Sequence, residues 1–396
     1  MWNRDDFPVL SRQIAGKTVT YLDSAATSLR PRGVVDAMVA YETTIGGSVH
    51  RGGHALGDEA SEVFERARAD IGFRFGVPAS DIVFVASTTA ALNVVAMGLP
   101  VAAGANIVTD AQEHHAALLP WYGRCEVRMV DVAADGRIDE DRILAATDQR
   151  TAAVVVSQAS NITGRRHVLP PLLAELRRRG IASIVDGAQG AAHGETNVDT
   201  LGCDYYAFSG HKCLGPTGVG VLTGRREALE RLGQPIRGGG AVRRVTRTEA
   251  IARQLPHKLE PGTPAIAAVI GLGAAVRYMD GYRAEDTAAH ERSLTEHMLT
   301  RARALSGFDV LGPQDAAERL PLVSLVSRNP RLDVDIIARQ LSDRHAVMVR
   351  SGQLCCHPFF EGLGASGALR VSAHAYTSPG DLDVCFDALA EATSRY

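Results

Sequence analysis

The sequence predicts an α/β protein with a large domain, built on a mostly parallel seven-stranded sheet, and a smaller α+β domain near its C-terminal end. Two observations predict this class. Seven short apolar or β-branched runs occur before about residue 280, and helical patterns separate several of them. Beyond that point long amphipathic helical patterns dominate. The 396 residues are enough for one large or two coupled domains.

The seven runs have the composition of buried strands. Helical patterns lie between several of them, and the clearest, residues 170–180, has proline at its start and glycine at its end. Strands that alternate with helices indicate a mostly parallel sheet covered on both faces. The strand candidates are 82–86, 106–109, 127–132, 152–157, 182–186, 205–209 and 219–222.

The last third of the chain has a different sequence pattern, with longer helical segments and fewer strand candidates, which indicates the smaller domain. Its helical patterns cover 281–306, 332–344 and 380–394, and its strand candidates are 323–327, 346–350 and 368–373. We therefore assign residues 21–280 to the large domain. Residues 1–20 and 281–396 are assigned to the small domain.

Composition limits the classes of partner and compartment. The chain has 42 basic and 45 acidic residues, and a net charge of −3 with no long run of like charge does not favour nucleic acid. Residues 1–10 do not resemble a secretory signal, and the apolar stretch 262–276 is too short to span a membrane. Six cysteines without a CxxC pair are expected to be reduced. We expect a cytoplasmic protein.

Polar residues at the strand ends carry the chemical prediction, because ligands of parallel sheets collect there. Asp186 ends the run 182–186, and a carboxylate at this place could pair with a protonated ring nitrogen. Lys212 follows the run 205–209, where a Schiff-base amine would be held by rigid elements. Alone, the first would be a helix cap and the second a solvated surface charge. The combination of Asp186 and Lys212 instead favours a functional site.

Three other strand ends add suitable groups. Thr88 and Thr89 stand at a helix start, which suits an anion, although a plain cap is the alternative. His114 offers an imidazole for stacking and proton transfer, and otherwise would be an ordinary polar residue in a turn. Asn161 adds an amide. Neither GxGxxG nor a P-loop motif is present, and the set describes a pyridoxal phosphate site.

With these residues in place, the sequence resembles fold-type I, class V aminotransferase-family proteins, and is most similar to type II cysteine desulfurases and selenocysteine lyases. The resemblance covers nearly the whole chain. It rests on Tyr-Leu-Asp-Ser-Ala-Ala (21–26), Val-His-Arg-Gly-Gly-His (49–54), Thr-Thr (88–89), Glu-His-His-Ala (113–116), Val-Asp-Gly-Ala-Gln (185–189), Ser-Gly-His-Lys (209–212), Gly-Gly-Gly (238–240), Gly-Thr-Pro (262–264) and the loop 350–355.

The resemblance implies a PLP-dependent transferase fold and a role for each matching residue. Lys212 would hold the cofactor covalently, Asp186 would contact its pyridinium nitrogen, and Gln189 its phenolic oxygen. His114 would stack on the ring. The phosphate ligands would be Thr88, Thr89, Ser209 and His211, together with Thr263 from the second subunit of a homodimer. The substrate contacts would be His50, Arg51, Asn161, Arg350 and Arg370.

The loop after Arg350 carries the proposed nucleophile. In the family pattern a cysteine five residues after this arginine lies over the cofactor, and Cys355 has that offset. Arg370 fits the arginine that holds the substrate carboxylate. A free cysteine is otherwise most often a small buried apolar residue. In an extended loop Cys356 would point to the opposite side, so only one thiol should face the cofactor.

Several residues depart from the family pattern and keep other reactions open. The loop has Gln353 and Leu354 where histidines are common, and Cys356 where alanine is common. Other departures are Ala90, Ala265 and Arg237. Three adjacent ligands at 355–357 do not resemble a structural zinc site, so no metal is expected.

The leading hypothesis is a homodimeric desulfurase that converts L-cysteine to L-alanine and leaves the sulfur as a persulfide on Cys355. A sulfur-acceptor protein would be a further partner, and selenocysteine or a larger conjugate is an alternative substrate. The other enzyme hypotheses are a C–S β-lyase on a cysteine conjugate and a class V aminotransferase or epimerase, in which this thiol is incidental. A catalytically silent binding protein would have no need of Lys212, Asp186 and Gln189 together.

Overall fold

A seven-stranded sheet forms the centre of the molecule. The structure, a computed structural model, describes residues 2–50, 52–194 and 196–394. Three short strands precede the sheet: β1 (Gln13–Ile14), β2 (Lys17–Thr18) and β3 (Thr20–Tyr21). The strands of the sheet are β4 (Val83–Val85), β5 (Asn106–Asp110), β6 (Glu126–Val130), β7 (Thr151–Ser157), β8 (Ala182–Asp186), β9 (Tyr205–Ser209) and β10 (Gly220–Gly224).

The order of the strands in this sheet is β4-β10-β9-β8-β7-β5-β6. All neighbouring pairs from β6 to β9 are parallel, and β10 alone runs antiparallel to its two neighbours, β4 and β9. The predicted α/β class with a mostly parallel seven-stranded sheet is therefore confirmed. The carboxyl ends of β5, β7, β8 and β9 meet at one edge.

Helices cover both faces of the sheet. Along β7, Val154 and Val156 face one apolar cluster, which includes Phe64 and Val276, whereas Val155 faces a second cluster with Leu92. This alternation is the period of two that a strand buried on both faces requires. The helices of this part are α1 (Arg32–Ala40), α2 (Ala55–Phe75), α3 (Thr88–Gly98), α4 (His115–Leu118), α5 (Glu140–Ala145), α6 (Pro170–Arg178), α7 (Val198–Leu201), α8 (Arg226–Arg231) and α9 (Ile266–Asp280).

A second, antiparallel sheet forms the C-terminal part. Its order is β13-β14-β17-β16, and Leu294, Ile337 and Leu382 pack against it from three helices. β15 pairs in parallel with β3, so the N-terminal segment joins this part. The elements are the hairpin β11 (Val242–Val245) and β12 (Ala250–Ala252), then β13 (Phe308–Leu311), β14 (Leu322–Ser327), β15 (Val347–Met348), β16 (Arg350–Gly352), β17 (Ala368–Ser372), and α10 (Ala284–Arg303), α11 (Val334–His345), α12 (His357–Leu363) and α13 (Pro379–Thr393).

Most predicted elements occur within two or three residues of their predicted ends. The run 346–350 is divided into two strands, and the strand β13 was not predicted. Short 3-10 turns connect several elements, and the turn Gly210–Lys212 follows β9 directly. Within the described residues no helix combines the length and the apolar character that a bilayer span requires.

Candidate active site

A cavity of about 290 Å³ opens where the carboxyl ends of the sheet strands face the loop that contains Cys355. It brings together residues from five strand ends of the large sheet and from two segments of the C-terminal part. The predicted site residues that line it are Thr88, Thr89, His114, Asn161, Asp186, Gln189, Ser209, His211, Lys212, Arg350, Cys355 and Arg370. Among the predicted site residues, positions up to 282 apart, Thr88 and Arg370, are thus gathered around one space.

The start of α3 forms a cradle for an anion. Ser87 caps the helix, because its hydroxyl accepts a hydrogen bond from the Ala90 amide at 3.2 Å. The amide and the hydroxyl of Thr88 both lie 2.7 Å from Ser209 Oγ. Gly220 permits this close packing, since a Cβ there would lie 2.7 Å from Ser87 Cα. A helix start with these hydroxyl groups suits a phosphate.

Lys212 and Asp186 stand at the ends of adjacent strands, β9 and β8. Burial lowers the pKa of the Lys212 amine, and the charge of Arg370 lowers it further, whereas Asp186 opposes the shift. Burial also raises the pKa of Asp186, which the Ala188 amide, donating at 2.8 Å, and Lys212 partly offset. A lysine whose pKa is lowered reaches its neutral, nucleophilic form more readily.

His114 enters the cavity as a neutral imidazole. Burial and the charge of Lys212 lower the pKa of His114 to about 4. Its Nδ1 accepts a hydrogen bond from the Ala116 amide at 3.0 Å, so the single proton of the neutral ring is placed on Nε2. The side chain of Gln189 is held in place because its Nε2 donates a hydrogen bond to the carbonyl of Ala25 at 2.8 Å.

Arg370 lines the cavity and has one buried donor without a hydrogen-bond partner among the described residues. Its side chain is buried, Nη1 donates to the carbonyl of Asn161 at 2.9 Å, and Nη2 lies 3.5 Å from Asp23 Oδ1. Its Nε has no hydrogen-bond partner among the described residues. Burial lowers the pKa of Arg370. A guanidinium that lines a cavity in this way suits a carboxylate ligand.

Arg350 differs from Arg370 in its surroundings. It is half exposed, and its Nη2 lies 2.8 Å from Asp23 Oδ2. This contact and the charge of Asp23 raise the pKa of Arg350, with burial opposing them. Asp23 therefore contacts both arginines, and it belongs to the site although the sequence analysis gave it no role.

The loop that follows β16 places the two adjacent thiols in different surroundings. Cys355 is exposed and lines the cavity, whereas Cys356 is fully buried. The expectation of an extended loop was wrong, because Leu354 and Cys355 have φ values of 50° and 60°, in the left-handed region. The Cys355 carbonyl accepts a hydrogen bond from the His115 amide at 2.9 Å, which helps to hold this conformation.

Two predicted residues do not join this cavity. Thr263 and His50 line a second cavity of about 210 Å³ on the same chain, together with His257 and Glu260. His50 Nε2 lies 2.8 Å from Glu65 Oε1. Arg51 falls outside the described residues. Sequence reasoning also missed Ser157, which lines the main cavity at the end of β7 and which the rule of strand ends would have indicated.

Comparison with known proteins decides the family. The family model for aminotransferase class-V matches residues 20–384. The chain belongs to this family. A probable cysteine desulfurase of Pseudomonas putida is 40% identical over 395 residues, 98% of this chain and 96% of the relative. A probable cysteine desulfurase of Streptomyces coelicolor is 34% identical over 402 residues, with 98% and 95% covered.

Solved structures of similar proteins agree with this assignment. The apo structure of a cysteine desulfurase from Thermococcus onnurineus is 32% identical, with a TM-score of 0.92, and covers 99% of this chain and 98% of its own. The S-sulfonic acid form of the cysteine desulfurase CsdA from Escherichia coli is 31% identical, with a TM-score of 0.90 and coverages of 100% and 99%.

The cavity fits the cofactor of the family. The chain is a pyridoxal 5′-phosphate-dependent enzyme. The donor set agrees with this chemistry, because a lysine with a lowered pKa and a buried carboxylate lie next to a helix start with hydroxyl groups. The expected cofactor and the expected family are thereby confirmed.

Proposed function

We propose that this enzyme is a cysteine desulfurase, which converts L-cysteine to L-alanine and transfers the sulfur to Cys355. One observation carries the proposal. The exposed thiol of Cys355 lines the same cavity as Lys212 and Arg370. Elimination and transamination on this cofactor require no thiol from the enzyme, so a thiol at this place favours sulfur transfer.

Two groups of the cavity suit an amino acid carboxylate. Arg370 lines the cavity, and a planar guanidinium can hold a carboxylate by two parallel hydrogen bonds. The amide of Asn161 lies beside it, since Arg370 Nη1 donates to the backbone carbonyl of that residue. A substrate held there would direct its amine toward Lys212, which lines the same cavity.

The residues that would hold the cofactor follow from the geometry and the family. Lys212 would bind it covalently, Asp186 would face its ring nitrogen, Gln189 its phenolic oxygen, and His114 its ring. Bound there, the cofactor supplies an electron sink for the substrate carbon atoms. The phosphate ligands on this chain would be Thr88, Thr89, Ser209 and His211.

Lys212 then serves as a base and Cys355 as a nucleophile. The lowered pKa of Lys212 favours a neutral amine that can take the substrate Cα proton. The Cys355 thiolate attacks the substrate sulfur, so that an S–S bond forms while the Cβ–S bond breaks and its electron pair stays with the substrate carbon. Protonation of that carbon yields alanine. His114, with a proton on Nε2, is a candidate proton carrier.

Product analysis with L-cysteine tests this function. We expect alanine in the presence of a thiol reductant, and a sulfur adduct of about 32 Da on the peptide with Cys355 in its absence. Cys355→Ser should abolish alanine formation but keep the cofactor absorption spectrum, since the thiol acts after cofactor binding. Cys385→Ser, in the core of the C-terminal part, is the matched control. Pyruvate as the product would instead indicate the β-lyase.

We further propose a homodimer in which Thr263 completes the phosphate site of the other subunit. In support, Thr263 lies in the second cavity of its own chain and not in the cavity with Lys212. Light scattering should give a dimer, and Thr263→Ala should weaken cofactor retention. A monomer that retains full activity would contradict the proposal.

Two finer assignments complete the proposed function. The exposed position of Cys355 suits delivery of sulfur to the thiol of an acceptor protein. The second assignment is a cytoplasmic location. In support of it, all six cysteines are free, as is usual in a reducing compartment. Mass spectrometry of the acceptor after turnover, and fractionation of cells, would test these assignments.

A further inference from the structure

Cys356, directly after the proposed nucleophile, has polar contacts that a purely apolar packing residue would not have. Its side chain is fully buried beside Ile162, Phe359 and Phe360. Its Sγ also lies 3.5 Å from Asn161 Oδ1 and 3.5 Å from the carbonyl of Leu354. These are hydrogen-bond distances for a thiol.

The amide of Asn161 connects two functional parts of the cavity. Its Nδ2 donates to the carbonyl of Leu354 at 3.0 Å, and Leu354 directly precedes Cys355. Each amide nitrogen has two hydrogens, so one remains for a ligand. The backbone carbonyl of the same residue is held by Arg370 Nη1. The residue thus contacts both the carboxylate site and the loop of the nucleophile.

The thiol selects one orientation of this amide. Burial raises the pKa of Cys356 well above its usual range, and the nearby Glu113 adds to the shift, so the sulfur keeps its proton. The S–H group donates to Asn161 Oδ1. In the reversed orientation, Oδ1 would face the Leu354 carbonyl, and the amide NH2 would have only the weakly accepting sulfur, so the bond to Leu354 and the bond from the thiol to Oδ1 would both be lost.

The loop depends on such contacts from outside. Leu354 and Cys355 both have left-handed backbones without being glycine, a conformation that costs free energy and persists only where neighbours hold it. The hydrogen bond from Asn161 Nδ2 to the Leu354 carbonyl is one of the contacts that stabilise this conformation. A rotated amide would release the loop and would also remove a donor from the carboxylate site.

We propose that Cys356 is a positioning residue, which through Asn161 orients both the substrate carboxylate site and the loop of Cys355. The role in substrate binding rests on the proposed function. The role in holding the loop does not rest on the proposed function, because it depends only on contacts within the chain.

Paired substitutions separate this role from packing. Cys356→Ser keeps a donor and loses apolar character, whereas Cys356→Val keeps apolar packing and loses the donor. On the holoenzyme, two readouts apply: the rate at which iodoacetamide alkylates Cys355, followed by peptide mass spectrometry, and the Kd of L-alanine from the cofactor absorption spectrum. Thermal unfolding and the Cys385→Ser control report general destabilisation.

We expect the serine variant to stay within about twofold of the wild type in both readouts, because its hydroxyl replaces the donor. The valine variant should raise the alkylation rate and the Kd by about three- to tenfold, the effect of one lost hydrogen bond. Asn161→Ala should raise alkylation similarly. In the double variant Asn161→Ala/Cys356→Val, the two effects should not add.

Any result in which serine does not preserve these two properties better than valine contradicts the proposal. In particular, a normal valine variant beside an impaired serine variant would show that Cys356 acts by apolar packing. Production of pyruvate from cysteine would refute the proposed function instead, while the alkylation comparison would still decide the role of Cys356.

Discussion

The two sides of the main cavity are built in different ways. One side, here called the floor, consists of Thr88, Asp186 and Lys212, which lie at or just beyond the carboxyl ends of β4, β8 and β9 of the buried sheet. The other side, here called the wall, is the segment of residues 350–356, which comprises β16 and the loop that leads to α12. The floor is positioned by strands inside the core. The wall is positioned by β16, an edge strand paired with β17, and in its loop by individual polar contacts from Asn161 and His115, while Asp23 holds the Arg350 side chain.

This difference suggests how the chemistry is divided. A group fixed by core strands keeps its geometry when a distant side chain changes, which suits the binding of a cofactor. In a loop held by a few contacts, residues can be substituted with less effect on the rest of the fold. Among the departures from the family pattern, Gln353, Leu354 and Cys356 all lie in the wall. The floor would therefore provide the cofactor chemistry, and the wall would determine the fate of the sulfur.

The largest expected effect concerns the floor. Lys212→Ala should reduce alanine formation by at least about 10³-fold, because the variant lacks both the covalent attachment of the cofactor and the base. Alkylation of Cys355 should change little, because the wall does not depend on this lysine. In the wild type, borohydride should fix the cofactor to Lys212, and peptide mapping that finds another lysine would contradict this assignment of the floor.

A smaller effect is expected where floor and wall meet, at Arg370. Arg370→Lys should raise KM for cysteine by about ten- to hundredfold, because lysine cannot form the two-point contact with a carboxylate. Arg350→Lys is the comparison, since Arg350 is half exposed and already paired with Asp23. Exposed ion pairs contribute little, so we expect less than about threefold. Equal losses for the two variants would indicate that both arginines hold the substrate.

The floor was largely predictable from the sequence, and the wall was not. The strand 182–186 occurs at its predicted bounds, so Asp186 could be assigned to a strand end. The left-handed backbone of Leu354 and Cys355 has no local signal, because neither is glycine and the contact that holds it comes from Asn161, 193 positions away. The strand β13 was missed because four residues are too few to give a clear period.

The second cavity was also beyond sequence reasoning. The Gly-Thr-Pro motif indicated that Thr263 belongs to a phosphate site, and the structure places it with His50 away from Lys212. A motif gives the type of a residue, but not which copy of the chain it serves. The division of the chain at residues 20 and 280 likewise stays a prediction.

The last expected effect concerns the pH dependence of stability and a histidine next to the floor. His374 is buried and stacks on Tyr376 at 5.6 Å between ring centroids. Burial and the neighbouring His193 lower the pKa of His374 to about 3, against opposing contributions from Glu291 and from the backbone of Lys212. An unfolded chain would bind this proton near pH 6.5. The native state binds it only near pH 3, so this histidine destabilises the fold progressively as the pH falls below about 6.5.

His374→Gln removes this titration and should flatten the loss of stability in acid. Between pH 6 and pH 4, the free energy of unfolding of the variant should fall less steeply than that of the wild type, by about 1.4 kcal/mol per pH unit. Above pH 7 the two slopes should agree, which provides the internal control for any uniform loss caused by the substitution. Urea unfolding at several pH values measures both slopes. Parallel curves throughout would mean that His374 already takes its proton in the folded protein, and that burial next to the floor does not exclude charge as strongly as the structure indicates.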